Sequence, residues 1–318
     1  MQPIQGLHHI TAMASDPQAN IDFYYTILGQ RLIKRTVNFD DPGTYHFYYG
    51  DQVGTPGTIL TFFPWRHLKR GERGNGEATA VAYNISPASV NFWQDRLQAH
   101  GISLGETQTR FGQDVFPFHD PDGMKLELIV NDQPVTLQDW DDGPIAAQHA
   151  LRGFHSVTLG VGQAQATAEL LAGPLGYQFV GQEGSRYRFR GAADNVGLLV
   201  DLLERPQMPL ARMGAGSIHH IAFRTVDDSE QQEYLTSLRG QGYNVSPVMD
   251  RQYFHSIYFR APSGVLFEVA TDAPGFLYDE PVAELGQSLK LPSWLEPSRA
   301  EIAQTLPPIE LPQIEVKS

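Results

Sequence analysis

The chain has 318 residues, 41% hydrophobic and 19% charged, with a formal net charge of −13 and no cysteine. That composition fits a soluble globular protein long enough for two domains, and it excludes disulfides and thiolate metal sites. The acidic balance argues against nucleic acid or an anionic membrane as partner. No apolar run reaches the roughly 20 residues of a membrane helix. The start, Met1-Gln2-Pro3-Ile4-Gln5, lacks the basic and apolar regions of a secretory signal, so a cytoplasmic protein is expected.

In chain order, the first predicted element is a strand at 7–13 containing His8-His9. A helix at 16–27 follows, with Ile21, Tyr24, Tyr25 and Leu28 near helical spacing and Gly29 as its C-cap. Thr55-Pro56-Gly57 then makes a turn into a strand carrying Thr61. The second unit has a strand at 78–85, a helix at 89–100 closed by Gly101, and a strand–turn–strand at 118–127. Residues 131–152 read as a linker with the acidic run Asp139, Asp141 and Asp142. The third unit has a strand at 154–161, a helix at 164–172 and a last strand carrying Asp201. The fourth opens with a strand at 218–225 containing His219-His220 and continues with a helix at 229–239 closed by Gly240. After about Gly275 the chain is proline-rich, with a short helix at 297–306, and is expected to wrap the body or close a site.

These units are copies. Phe118-His119-Asp120-Pro121-Asp122-Gly123-Met124-Lys125-Leu126-Glu127 aligns without gaps on Phe259-Arg260-Ala261-Pro262-Ser263-Gly264-Val265-Leu266-Phe267-Glu268 at one offset (268 − 127 = 141). Four βαβββ modules are predicted at 6–63, 77–130, 153–203 and 216–271. The fold class is α+β, with the modules forming two cup-shaped curved sheets. The expected division is 1–145, 146–275 and a tail at 276–318.

Internal repeats allow positions to be compared within one chain. The second His of each pair, or its counterpart, is His9, Ala80, Ser156 and His220; the position four residues after the turn Gly is Thr61, Glu127, Asp201 and Glu268. If modules one and four share a cup, it holds His9, His220 and Glu268. Two imidazoles and one carboxylate form a facial triad with open positions, which suits non-haem Fe(II) oxygen chemistry. The other cup, without imidazole at these positions, reads as structural. Strand alternation puts one His of each pair on the cup face but does not by itself choose which.

The chain resembles the vicinal-oxygen-chelate superfamily of glyoxalases and extradiol dioxygenases, and within it the ring-cleaving hydroquinone dioxygenases. The resemblance spans about residues 5–310. It rests on Leu7-His8-His9-Ile10-Thr11, on 29–37, on Gly54-Thr55-Pro56-Gly57-Thr58, on 218–224 and on 254–260. It implies that His9, His220 and Glu268 bind Fe(II); Mn(II) suits the same ligands. It also implies substrate-contact or supporting roles for His8, Thr11, His219, Arg251 and Tyr258. The expected partners are a small aromatic substrate and O2, with no nucleic acid and no membrane; a homo-oligomer is left open.

Blander readings stand beside these. An Arg such as Arg224 could pair Glu268 in place of a metal. Arg110 sits at the repeat equivalent of Arg251 (251 − 141 = 110), so an Arg there could belong to the scaffold. His119, His149, His155 and His255 read as structural or exposed, and the basic loop at 67–73 as solvated. The leading function is O2 insertion into a hydroquinone-like ring. The alternatives are a glyoxalase-type isomerase or lyase, and a non-catalytic binder. Thr61 weighs against the isomerase, because that chemistry uses a last-strand ligand from both modules.

Overall fold

The computed structural model describes residues 1–313. Module one comprises β1 (Leu7–Ala14), α1 (Pro17–Ile21), β2 (Arg31–Asn38), β3 (Asp41–Gly50) and β4 (Ile59–Pro64). Module two comprises β5 (Glu77–Ile85), α2 (Val90–Ala99), β6 (Gln108–Arg110), β7 (Gln113–His119) and β8 (Lys125–Val130). Module three comprises β9 (Phe154–Val161), α3 (Gln165–Ala172), β10 (Gln178–Glu183), β11 (Arg186–Arg190) and β12 (Leu199–Glu204). Module four comprises β13 (Ile218–Thr225), α4 (Asp228–Gly240), β14 (Met249–Asp250), β15 (Phe254–Arg260) and β16 (Leu266–Pro274).

Local chemistry explains the helix ends. The Asp16 carboxylate caps α1 by accepting from the Ala19 N–H at 2.8 Å, and Pro17 occupies a first-turn position that needs no donor. The predicted single helix at 16–27 is in fact two segments. After Ile21 the chain widens into a π-turn, Asp22–Ile27, in which the Leu28 N–H reaches back to the Phe23 carbonyl. Gly240 is the last helical residue of α4 rather than its cap; Gly242, at φ 88°, takes the left-handed conformation two residues later.

The strands form two eight-stranded sheets, in the orders β14-β15-β16-β13-β1-β4-β3-β2 and β10-β11-β12-β9-β5-β8-β7-β6. Modules one and four therefore share one sheet, and modules two and three share the other. In each module the last strand runs parallel to the opening strand, in one register: Thr11 beside Thr61, Ala82 beside Glu127, Thr158 beside Asp201 and Ala222 beside Glu268. The four positions compared in the sequence are thus equivalent in space. The turn glycines Gly123 and Gly264, at φ 81° and 94°, supply the left-handed residue before the last strand.

The two opening strands of a sheet meet antiparallel at its centre. His9 lies opposite Ala222 and Thr11 opposite His220, so the two halves are related by a pseudo-twofold. Each strand carries one extra residue against its partner: His8 between the pairs Leu7–Phe223 and His9–Ala222, and His219 between Thr11–His220 and Ala12–Ile218. The second sheet repeats this with Thr79 and His155. Such β-bulges break strict alternation and re-aim side chains.

One apolar core runs through both halves and includes Ile10, Phe62, Trp93, Phe154 and Phe223. No helix among the described residues is long and apolar enough to cross a membrane. The tail wraps the body beside β2. Lys34, fully buried on β2, pairs with Asp279 and, at 2.5 Å, with Glu280. The Lys290 N–H donates to the Arg35 carbonyl at 2.9 Å. Phe276 packs 5.3 Å from the rings of both Tyr48 and Tyr253. Tyr253 donates to Asp279 at 3.0 Å. Tyr253→Phe deletes only that bond and is expected to cost about 1 kcal/mol in urea unfolding; an unchanged midpoint would mean the bond contributes nothing to holding the tail.

Candidate metal centre

The pseudo-twofold brings β1 and β13 together, and β16 lies next to β13. His9, His220 and Glu268 converge there, all buried. His9 Nε2 is 3.4 Å from Glu268 Oε2, His220 Nε2 is 2.9 Å from the same oxygen, and the two nitrogens are 3.3 Å apart. The 2.9 Å approach lies off the direction of a ring N–H, so Glu268 Oε2 has no hydrogen-bond partner although it is sealed from water. An orphaned buried carboxylate oxygen is costly. Here it points, with two ring nitrogens, at one place. Three such N and O donors fit a divalent cation. Among the described residues this is the one such cluster of His, Asp or Glu donors.

Electrostatics agree with the geometry. Burial alone would push the Glu268 carboxyl up, but the facing imidazoles of His9 and His220 outweigh it and hold it well below the usual carboxylate range. Burial lowers His220, which keeps its ring neutral and its lone pair available. The Ser256 hydroxyl donates to Glu268 Oε1, fixing the carboxylate and leaving Oε2 free. Arg224 pairs with Asp272 at 2.7 Å instead of with Glu268, so the bland reading of Glu268 as an arginine partner does not apply.

The bulge residues stand directly behind the triad. His8 Nδ1 is 3.0 Å from His9 Nδ1, and His219 Nδ1 is 2.8 Å from His220 Nδ1. If Nε2 of each inner ring faces a cation, its Nδ1–H donates outward and the outer His accepts. Burial lowers both outer histidines, His219 to about 3, which suits neutral acceptors. They are not equivalent toward solvent: His219 lines the cavity above the triad, whereas His8 does not.

That cavity encloses about 450 Å³. Phe39, Phe63, Trp65 and Phe254 are among its aromatic lining residues. Phe254 lies 4.9 Å from the His9 ring. Thr11, Arg251 and Tyr258, singled out in the sequence, all reach this cavity. Arg251 Nε donates to the Tyr258 oxygen at 3.2 Å, and Arg251 Nη1 pairs with Asp40 at 3.2 Å. Burial works against the Arg251 charge, but Tyr258, Asp40 and Glu268 more than offset it and keep the guanidinium protonated. Burial and the Glu268 charge push the Tyr258 phenol up, so it too keeps its proton.

His46, Tyr48 and Asp40 also line the cavity and escaped sequence reasoning. His46 is alone on its strand and has no His partner in another repeat. The signal that could have found it is its strand position relative to Thr61.

The second cup contrasts with the first. Glu127 is held by Arg110 at 2.6 Å and Lys125 at 2.8 Å, and Asp201 by Arg186 at 3.0 Å and Arg188 at 2.8 Å. Its bulge histidine, His155, bonds to Ser156 Oγ and Gln113 Oε1, each at 3.0 Å. These carboxylates are already neutralised, so no cation is needed there.

Known proteins similar to this chain are named as dioxygenases. MhqO of Bacillus subtilis (strain 168), a candidate ring-cleaving dioxygenase, is 42% identical over 98% of both chains. The chlorohydroquinone/hydroquinone 1,2-dioxygenase of Sphingobium indicum is 35% identical over 95% of this chain and 96% of its own. A crystal structure of a candidate dioxygenase from Bacillus subtilis subsp. subtilis str. 168 superposes with a TM-score of 0.93 at 41% identity, covering 98% of this chain and 100% of that one. The family model matches at residues 6–128 and 153–269, and the chain belongs to the Glyoxalase/Bleomycin resistance protein/Dioxygenase superfamily.

Proposed function

We propose that this chain is a cytoplasmic ring-cleaving dioxygenase that uses Fe(II) to insert O2 into a hydroquinone-like ring. The observation that carries this reading is the buried triad with its orphaned Glu268 oxygen, two of whose members, His9 and His220, line an aromatic-walled cavity, with Thr61 in place of a fourth ligand. The names of the similar proteins MhqO and the chlorohydroquinone/hydroquinone 1,2-dioxygenase support it.

His9, His220 and Glu268 would hold the metal. Bound there, Fe(II) would supply Lewis acidity toward an aromatic hydroxyl and the redox chemistry that O2 needs. The protein's own residues do the rest. Phe39, Phe63 and Trp65 take the flat ring and exclude water from it. His8 and His219 fix the orientation of His9 and His220 through the Nδ1 contacts. His219 presents its remaining nitrogen, Nε2, to the substrate; to take up a proton there it must give up its bond to His220. Thr11 also lines the cavity and offers a hydroxyl there. Arg251 and Tyr258 form a donor pair for negative charge developing on oxygen.

Tyr258→Phe is expected to lower kcat about tenfold, the worth of one hydrogen bond of about 1.4 kcal/mol, with metal content unchanged. A kcat equal to the parent's would remove Tyr258 from the chemistry. The reading as a whole is tested by anaerobic loading with Fe(II), then oxygen-electrode measurement across hydroquinones and catechols. Uptake with at least one hydroquinone is expected; none with any member would sink it. Thr61 weighs against a glyoxalase-type isomerase, and the intact triad against a non-catalytic binder.

A further inference from the structure

Equivalent positions beside the last-strand residue point to a role for His46. In module four, Tyr258 pairs with Glu268 and Ser256 with Ala270, so Ser256 is the diagonal neighbour of Glu268. In module one, Tyr48 pairs with Thr61 and Phe47 with Phe62, so the same register makes His46 the diagonal neighbour of Thr61. Tyr48 thus matches Tyr258, and His46 matches Ser256. In module three the same position is Arg186, which pairs with Asp201 at 3.0 Å. In three of four copies this neighbour bonds the last-strand residue.

The pair in module one inverts the sizes of the pair in module four. There a large ligand residue, Glu268, meets a small donor, Ser256. Here a small residue, Thr61, meets a large donor, with His46 Nε2 at 2.9 Å from Thr61 Oγ1. The imidazole fills room that a longer side chain at 61 would need. It is also held from behind. Tyr48 O–H lies 2.9 Å from His46 Nδ1, and the rings of Tyr48 and Phe63 sit 4.1 and 4.3 Å from it. With Nδ1 accepting from Tyr48, Nε2 carries the proton and donates to Thr61, which in turn donates to Thr11 Oγ1 at 2.8 Å. The chain of donors runs one way, Tyr48 to His46 to Thr61 to Thr11. Among the described residues no acceptor takes the Thr11 hydroxyl proton, and Thr11 lines the cavity.

We propose that His46 is a positioning residue which keeps the fourth-ligand side of the centre open and turns the Thr61–Thr11 hydroxyls into donors for an oxygen-bearing ligand there. This rests on the metal-centre reading above, but not on ring cleavage. It explains why Thr61 alone is not enough to define the open site: a carboxylate introduced at 61 would meet the imidazole.

The test uses two probes that need no turnover. The first is Co(II) affinity by competition titration. T61E alone should bind Co(II) no more tightly than the parent, whereas T61E/H46S, which copies the pair of module four, should tighten it about tenfold or more, the scale of changes around metal sites. The second probe is nitric oxide binding to the ferrous protein, read by electron paramagnetic resonance. H46L fills the space but severs the donor chain, and should weaken nitric oxide about tenfold, one hydrogen bond's worth. H46Q, which retains an N–H, should restore it. The H46L and H46Q pair carries the test if the double variant does not fold. Equal tightening by T61E alone, or parental nitric oxide affinity in H46L, overturns the proposal. Absence of oxygen uptake with every hydroquinone would overturn ring cleavage and leave both titrations to decide on His46.

Discussion

Glu268→Gln is expected to empty the metal centre. The change is isosteric, so it tests charge and lone pairs instead of packing. Glu268 is fully buried, and its Oε2 is the shared neighbour of both inner imidazoles. A Gln amide can present an N–H where the carboxylate presents a lone pair, and it supplies no negative charge to balance a divalent cation. Exchange of a residue that merely supports a ligand costs roughly 10- to 100-fold in affinity; loss of the anionic ligand itself should cost at least about a hundredfold. Metal analysis after dialysis and oxygen uptake should fall together. The fold should persist, because the change keeps the side chain's shape and packing. Because the facing imidazoles hold the Glu268 carboxyl low, its charge is favoured in the folded metal-free protein, and thermal unfolding of the metal-free variant should be no higher than that of the metal-free parent. Full metal retention in Glu268→Gln would remove this residue from the ligand set.

How much of this was legible beforehand follows from what repeats. The βαβββ copies, the pairing of modules one and four, and the triad could all be read, because Thr61, Glu127, Asp201 and Glu268 keep one register in four places. The alternation argument for the His pairs was incomplete. Alternation assumes an unbroken ladder, and His8 and His219 are the extra residues of two bulges. Nothing in a His-His dipeptide marks a bulge; it exists only against a partner strand. That is why adjacent rings can face each other, and why His219 reaches the cavity. His46 was missed for the opposite reason: its role comes from a diagonal contact to Thr61, and no other copy has a histidine at that position. The tail's path was open in the sequence because its anchors, Lys34 and Tyr253, lie in strands far from Asp279 and look like ordinary strand residues.

Arg110 and Arg251 occupy one repeat position but do different work, and this yields the second large effect. Arg110 holds buried Glu127 with two bonds, of 2.6 and 2.7 Å, whereas Arg251 turns to Tyr258 and Asp40. Burial would raise the Glu127 carboxyl, but Arg110 and Lys125 bring it down to about 2. Because its folded value lies below its unfolded one, Glu127 stabilises the fold above the ordinary carboxylate range. That contribution is lost as pH falls from about 4.5 through about 2. Arg110→Ala leaves the carboxylate buried with Lys125 alone, a partner about one-third exposed. Removing one member of such a buried pair is expected to cost about 3 kcal/mol, read as a drop of several degrees in the melting temperature at pH 7. Metal content should not change, since the second cup holds no part of the triad. Adding Glu127→Gln should return much of the loss, because most of the cost lies in the stranded charge rather than in the missing arginine. If Arg110→Ala lost its metal while keeping its melting temperature, the two sheets would not divide into a working cup and a supporting one.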